Sequence, residues 1–167
     1  MEQRTNEENV RKLGELIKGI RVAMFTTIEP DGSLRSRPMY TQDVEFDGQL
    51  WFFTWLDTAK VSEISREQHV NVSYSSPSDE RYVSLSGRAR LVQDPAKAKE
   101  LWNPALKAWF PKGLDDPNLG LILVDAEKAE YWDSPSSKLV QMIGFAKAVT
   151  TGKSYADEAT DHQRVKL

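Results

Sequence analysis

The sequence has no cysteine. That excludes a disulfide scaffold, a thiolate zinc site, an iron–sulfur cluster and a cysteine nucleophile. It has two histidines, His69 and His162, too few for a multi-histidine metal site in one chain, so no metal is expected. It has no excess of positive charge. Against 22 Lys+Arg stand 25 Asp+Glu, a net charge of −3, which argues against broad electrostatic binding to nucleic acid. No apolar run approaches the roughly 20 residues a membrane helix needs. The polar opening Met1-Glu2-Gln3-Arg4-Thr5 carries neither a signal nor a transit pattern. Also lacking are a GxxxxGK phosphate loop, a GxGxxG fingerprint and a GxSxG elbow. These absences lead to an expectation of a cytoplasmic protein with no membrane or nucleic-acid partner.

What is present fits a single domain over residues 1–167, with no repeat or long linker. A chain of this length buries roughly 70% of its unfolded surface, so it needs no metal or disulfide to fold. Thr5 and Glu8 have capping-box spacing, and Val10, Leu13, Leu16, Ile17 and Ile20 recur at helical intervals. A helix over about 5–19 is predicted. Strands are predicted over 22–28 and 33–41, around the turn Pro30-Asp31-Gly32. Pro38 marks the second as an edge or bulged strand. Asp47-Gly48 signals a hairpin between Val44–Phe46 and Leu50–Trp55.

A short helix follows from about Thr58 to Gln68, capped by Asp57 or Thr58. Strands are expected at 70–74 and 82–92, with a bulge at Gly87. Asp94-Pro95 opens a helix to about Trp102 that resumes through Lys107 and Trp109. Leu119–Val124 reads as a buried strand continued by Ala129–Trp132, and Lys138–Val149 as a last strand. After Thr151-Gly152 comes a polar, mobile tail. Six or seven strands joined mostly by hairpins favour an antiparallel barrel or α+β fold over a doubly wound sheet.

The chemistry concentrates between Ser33 and Lys60. Arg35, Arg37 and Lys60 share a neighbourhood with Trp51, Phe52, Phe53 and Trp55. Lys60 lies in the first turn of a helix, where the dipole disfavours a cation unless an anion sits between. Arg37 could clamp the same anion with a planar fork. The same residues also read as surface cations flanking an aromatic core. Trp102 and Trp109, seven apart, read as core, dimer interface or a flat wall for a planar ligand.

Taken in order, Asp31-Gly32-Ser33-Leu34-Arg35-Ser36-Arg37-Pro38-Met39, Asp47-Gly48-Gln49-Leu50-Trp51-Phe52-Phe53-Thr54, Thr58-Ala59-Lys60-Val61, Tyr82-Val83-Ser84-Leu85-Ser86-Gly87 and Ala129-Glu130-Tyr131-Trp132-Asp133 resemble the pyridoxamine 5′-phosphate oxidase-like flavoproteins, in their bacterial general stress protein branch. The resemblance covers about residues 8–150. It implies a mainly β, α+β fold: a six-stranded antiparallel split β-barrel of Greek-key type with flanking helices. It also implies a homodimer with FMN at the interface.

By position, the resemblance implies that Ser36, Arg37, Pro38 and Met39 line the flavin ring and ribityl chain. Arg37 and Lys60 would hold the phosphate with help from Thr58, and Phe53 and Thr54 would flank the ring and chain. Tyr82 would add a polar contact. Trp132, and more loosely Trp109 and Phe110, would close the pocket from the partner chain. The Arg-x-His pair of the vitamin B6 oxidases falls near Lys138 and Val140 here, and the basic residue beside Lys60 is Ala59. These departures point away from pyridoxamine 5′-phosphate oxidation. A flavin-dependent oxidoreductase of stress response, a non-catalytic flavin-binding or storage module, and a barrel for another planar cofactor (deazaflavin or haem) stay open. No catalytic residue is assigned.

Overall fold

The computed structural model describes residues 5–135, 138–152, 154 and 161–167. Helix α1 (Asn6–Ile17) starts at the expected capping box: the Thr5 hydroxyl accepts from the Glu8 N–H and the Glu8 carboxylate accepts from the Thr5 N–H. Strands β1 (Val22–Ile28) and β2 (Leu34–Tyr40) form a hairpin. Then come β3 (Gln49–Trp55), α2 (Ala59–Arg66), β4 (His69–Ser76), β5 (Arg81–Val92), α3 (Pro95–Leu101), β6 (Leu119–Asp133), α4 (Lys138–Thr151) and β7 (Asp161–Lys166).

All strand pairs are antiparallel, in the order β2-β1-β4-β5-β6-β3, and β7 also pairs with β6. The six-stranded path curls into the split barrel that the family resemblance implied. Pro38 sits on the edge strand β2, where a missing N–H costs no ladder bond. The barrel interior is one apolar core: Phe25, Phe52, Val72, Leu85, Ile122 and Tyr131 are buried, closed at one end by Leu13 and Leu16 of α1. A second core lies outside the barrel. There Phe53, Leu121, Leu101, Leu106 and Phe110 pack together beneath α3 and the 3-10 turn Pro104–Ala108. The first half of β6 is therefore buried on both faces.

Four expectations are corrected, and a fifth, the bulge at Gly87, holds in a refined form. Residues 44–46 form no strand, and β3 pairs with β6 instead. The Asp47 carboxylate accepts from the Gln49 N–H, so Asp47-Gly48 makes a local turn at the start of β3 rather than a hairpin. The bulge at Gly87 is real, but its extra residue, Glu127, lies on the facing strand, because Ser86 pairs with Lys128 and Gly87 with Ala126. The helix after Pro95 does not run through Trp109: Asn103-Pro104 ends it and restarts the chain as a 3-10 turn, so Trp102 and Trp109 do not share a helix face. Residues 138–151 are helical, because that run has no period-two alternation and is rich in residues that tolerate a helix. The tail is not wholly loose: Asp161–Lys166 adds strand β7, while 153 and 155–160 lie outside the described residues.

Candidate functional site

The site grows from the alternation of β1 and β2. Thr27 follows Ala23 and Phe25 on the inward face of β1, and is fully buried. On β2, Arg35 is the residue opposite Thr27, and Arg37 lies on the same face. Helix α2 packs against β1 and β5 and brings Lys60 and Glu63, three residues apart, to this end of the barrel. Glu63 is 5% exposed. A carboxylate buried among Val61 and Ile64 must be paired. It accepts from the Thr27 hydroxyl in a very short hydrogen bond and from Arg37 Nη2 at 3.0 Å. Arg37 Nη1 also donates to the Thr27 hydroxyl at 2.5 Å. The result is a closed triangle of Thr27, Arg37 and Glu63.

Burial alone would raise the Glu63 pKa, but the hydrogen bonds from Thr27 and Arg37, with the Arg37 and Arg35 charges, hold it below the usual glutamate range. Lys60 is partly buried, and its ammonium donates to Thr58 Oγ1 at 3.3 Å. Burial first, then the charges of Arg37 and Arg35, hold Lys60 below the usual lysine range against the opposing pull of Glu63. Arg35 lies 3.8 Å from Glu29, and both are solvent-exposed enough for that pairing to be weak. The Thr58 and Thr54 hydroxyls both donate to the Trp55 carbonyl, at 2.9 and 3.2 Å. Among the described residues, then, three cations gather around one buried carboxylate, with hydroxyls beside them.

The other residues singled out from the sequence fall into separate groups. Ser36 and Pro38 sit on the outward face of β2, and Ser36 hydrogen-bonds Thr26 at 2.6 Å. Met39 is buried in the barrel core. Phe53 and Thr54 are adjacent on β3 and so face opposite sides. Phe53 packs edge-on against Trp102 and near Phe110 in the outer core, while Thr54 is buried. Phe110 is buried, and Trp109 is 54% exposed with its ring tilted over Tyr40 at 5.0 Å. Tyr82 and Trp132 face each other across β5 and β6. Trp132 is stacked on His162 of β7 at 5.0 Å, and His162 contacts Glu130 at 2.7 Å.

The structure thus brings Arg37, Thr58 and Lys60 together with Thr54 nearby, and leaves Tyr82 and Trp132 apart. Tyr82 and Trp132 lie on β5 and β6, neither of which pairs with β2, and on the outer face of the sheet. Two members of the cluster, Thr27 and Glu63, escape a reading by motif. Their signal was a polar residue at an inward position of an alternating strand, and a carboxylate among the apolar positions of a short helix.

A split barrel with a cluster of cations between β2 and α2 defines the class. The sequence profile described as pyridoxamine 5′-phosphate oxidase like matches residues 8–156, and the chain belongs to that family. A general stress FMN/FAD binding protein from Xanthomonas citri is 34% identical and superposes with a TM-score of 0.68, over 79% of this chain and 93% of its own. A Jannaschia structure called general stress protein 26 is 21% identical, with a TM-score of 0.77 over 96% of this chain and 99% of its own, and so shares the fold. Protein bli-3 of Neurospora crassa is 29% identical over 157 residues, 88% of this chain and 75% of its own.

Proposed function

We propose that this protein binds FMN, with the phosphate held by Arg37 and Lys60 between β2 and α2. The observation that carries this reading is the excess of positive charge: Arg35, Arg37 and Lys60 gather around the buried Glu63 carboxylate, with only the exposed Glu29 weakly paired to Arg35. The chemistry of the donors fits the group. A guanidinium has five N–H donors, and Arg37 commits two groups to Thr27 and Glu63, leaving the rest for a phosphate. Thr58 and Thr54 hydroxyls lie next to it for a polar chain. The likeness to the Xanthomonas citri protein called FMN/FAD binding supports the same choice.

A wide apolar ring also needs walls, and here the reading requires a second copy. Tyr82 and Trp132 alternate with the buried Val83 and Tyr131 and so lie on the outer face of the sheet, whereas Arg37 lies on the inward face of β2. The outward face of β1, β4 and β5 suits self-association: small polar side chains (Asn71, Ser73, Ser84, Ser86) are knitted by hydrogen bonds and bordered by exposed Val22, Met24 and Tyr82. Pairing two such faces would carry the partner's Tyr82 and Trp132 toward the cations. When bound, FMN would supply redox chemistry, and the protein would orient it. Loss of the Arg-x-His pair argues against pyridoxamine 5′-phosphate as the substrate.

The test is the visible spectrum of the purified protein followed by mixing with NADH or NADPH. Flavin bands at roughly 375 and 450 nm that stay with the protein support the cofactor. Bleaching and reoxidation on turnover make it an oxidoreductase, and bound flavin that no donor reduces makes it a binding module. A protein that stays colourless with added FMN overturns the reading.

A further inference from the structure

Glu63 has no direct use in holding a phosphate, since a carboxylate repels one. Yet it is buried beside the proposed phosphate site and accepts from both Arg37 and Thr27. If α2 needed only packing there, an apolar residue of the same volume would serve at least as well as a buried charge. Arginine is long and loses freedom when it binds, so a guanidinium fixed beforehand binds more tightly than a mobile one. We propose that Glu63, with Thr27 beneath it, is the positioning residue of the anion site.

The pair holds Nη1 and Nη2 of Arg37 and so fixes the plane of the guanidinium, whose remaining N–H donors stay available to an anion. Lys60 lies three residues earlier on α2. One short helix therefore carries one cation of the site and the anchor of the other, and a shift of that helix would disturb both. Glu63 acts through Arg37 and does not touch the ligand. This inference rests on the FMN reading above.

Equilibrium dissociation constants for FMN and riboflavin, with thermal melting as a folding control, are measured on the intact protein and on Arg37→Ala, Glu63→Ala, Glu63→Gln and the Arg37→Ala/Glu63→Ala double variant. Glu63→Ala is expected to lose roughly 10-fold in FMN affinity, one charge-assisted hydrogen bond's worth, with riboflavin little changed. Glu63→Gln, which keeps an acceptor, loses about 3-fold. In the Arg37→Ala background the Glu63→Ala loss falls below about 2-fold, because a residue acting through Arg37 has nothing left to act on. Where Glu63→Ala fails to fold, Glu63→Gln carries the test through its FMN-to-riboflavin ratio. An unchanged ratio in the folded Glu63 variants, equal losses for both flavins, or a full loss that persists without Arg37 overturns the role of Glu63 while leaving the phosphate site standing. An Arg37→Ala variant that keeps its preference for FMN overturns the phosphate site, and the role of Glu63 with it.

Discussion

At the scale of single residues, Arg37 and Lys60 bring more positive charge to the cluster than the one buried carboxylate, Glu63, balances. Arg37→Ala and Lys60→Ala should each weaken FMN binding by roughly 1–3 kcal/mol, the range of a charge-assisted hydrogen bond. Riboflavin should be much less affected, and competition between the two flavins measures the difference. The pH dependence has a definite sign. Burial and the Arg37 and Arg35 charges lower the Lys60 pKa in the free protein, and a bound phosphate would raise it. Affinity is then full below the free-state pKa and falls as pH rises through the bound-state value. FMN titrations at increasing alkaline pH should show this fall, and Lys60→Ala should abolish it.

Lys60 stood out because a cation in the first turn of a helix is conspicuous, and Arg37 because its planar fork on a nearby strand could share an anion with it. Glu63 was not, since helical spacing placed Val61 and Ile64 on the buried face and gave no reason to add a carboxylate. Only the β1–β2 hairpin, which supplies Thr27 from one strand and Arg37 from the other, makes its burial tolerable.

At the scale of elements, local signals were read where the chain obeys its own neighbours and missed where a distant strand decides. The Thr5 capping box, the β1–β2 hairpin and the Asp94-Pro95 helix start are local, and all three form. The partner of β3 is not local: Asp47-Gly48 promised a hairpin, but β6 offers seven paired positions, Gln49–Trp55 against Leu119–Asp125.

Gly87 shows the tightest such dependence. A Cβ there would lie 2.0 Å from the Asp125 carbonyl oxygen, a backbone atom held in the ladder. Gly87→Ala should cost roughly 3 kcal/mol, a fall of about 10 °C in Tm for a chain of this size. Differential scanning calorimetry checks this, and an unchanged Tm would mean that the β5–β6 bulge yields freely.

At the scale of the whole molecule, the two halves of the proposed flavin site lie on different parts of one sheet. The cations sit by edge strand β2, while Tyr82 and Trp132 lie on β5 and β6. A dimer is therefore expected in solution, with dimerisation tied to cofactor binding. Met24 stands on the outward face of β1 and is 42% exposed. Met24→Arg should give a monomer in sedimentation velocity and weaken FMN binding without lowering Tm. A variant that becomes monomeric yet binds FMN as tightly as before would place the whole flavin site within one chain.

The central claim is that the cluster of Arg37 and Lys60 recognises the phosphate of FMN. Titration of the intact protein with FMN and, in parallel, with riboflavin tests it most directly. The account predicts one FMN per chain and a preference over riboflavin of at least about 10-fold, the value of a single charge-assisted contact. Equal affinity for the two flavins would contradict it, because the phosphate would then contribute nothing that these cations could recognise.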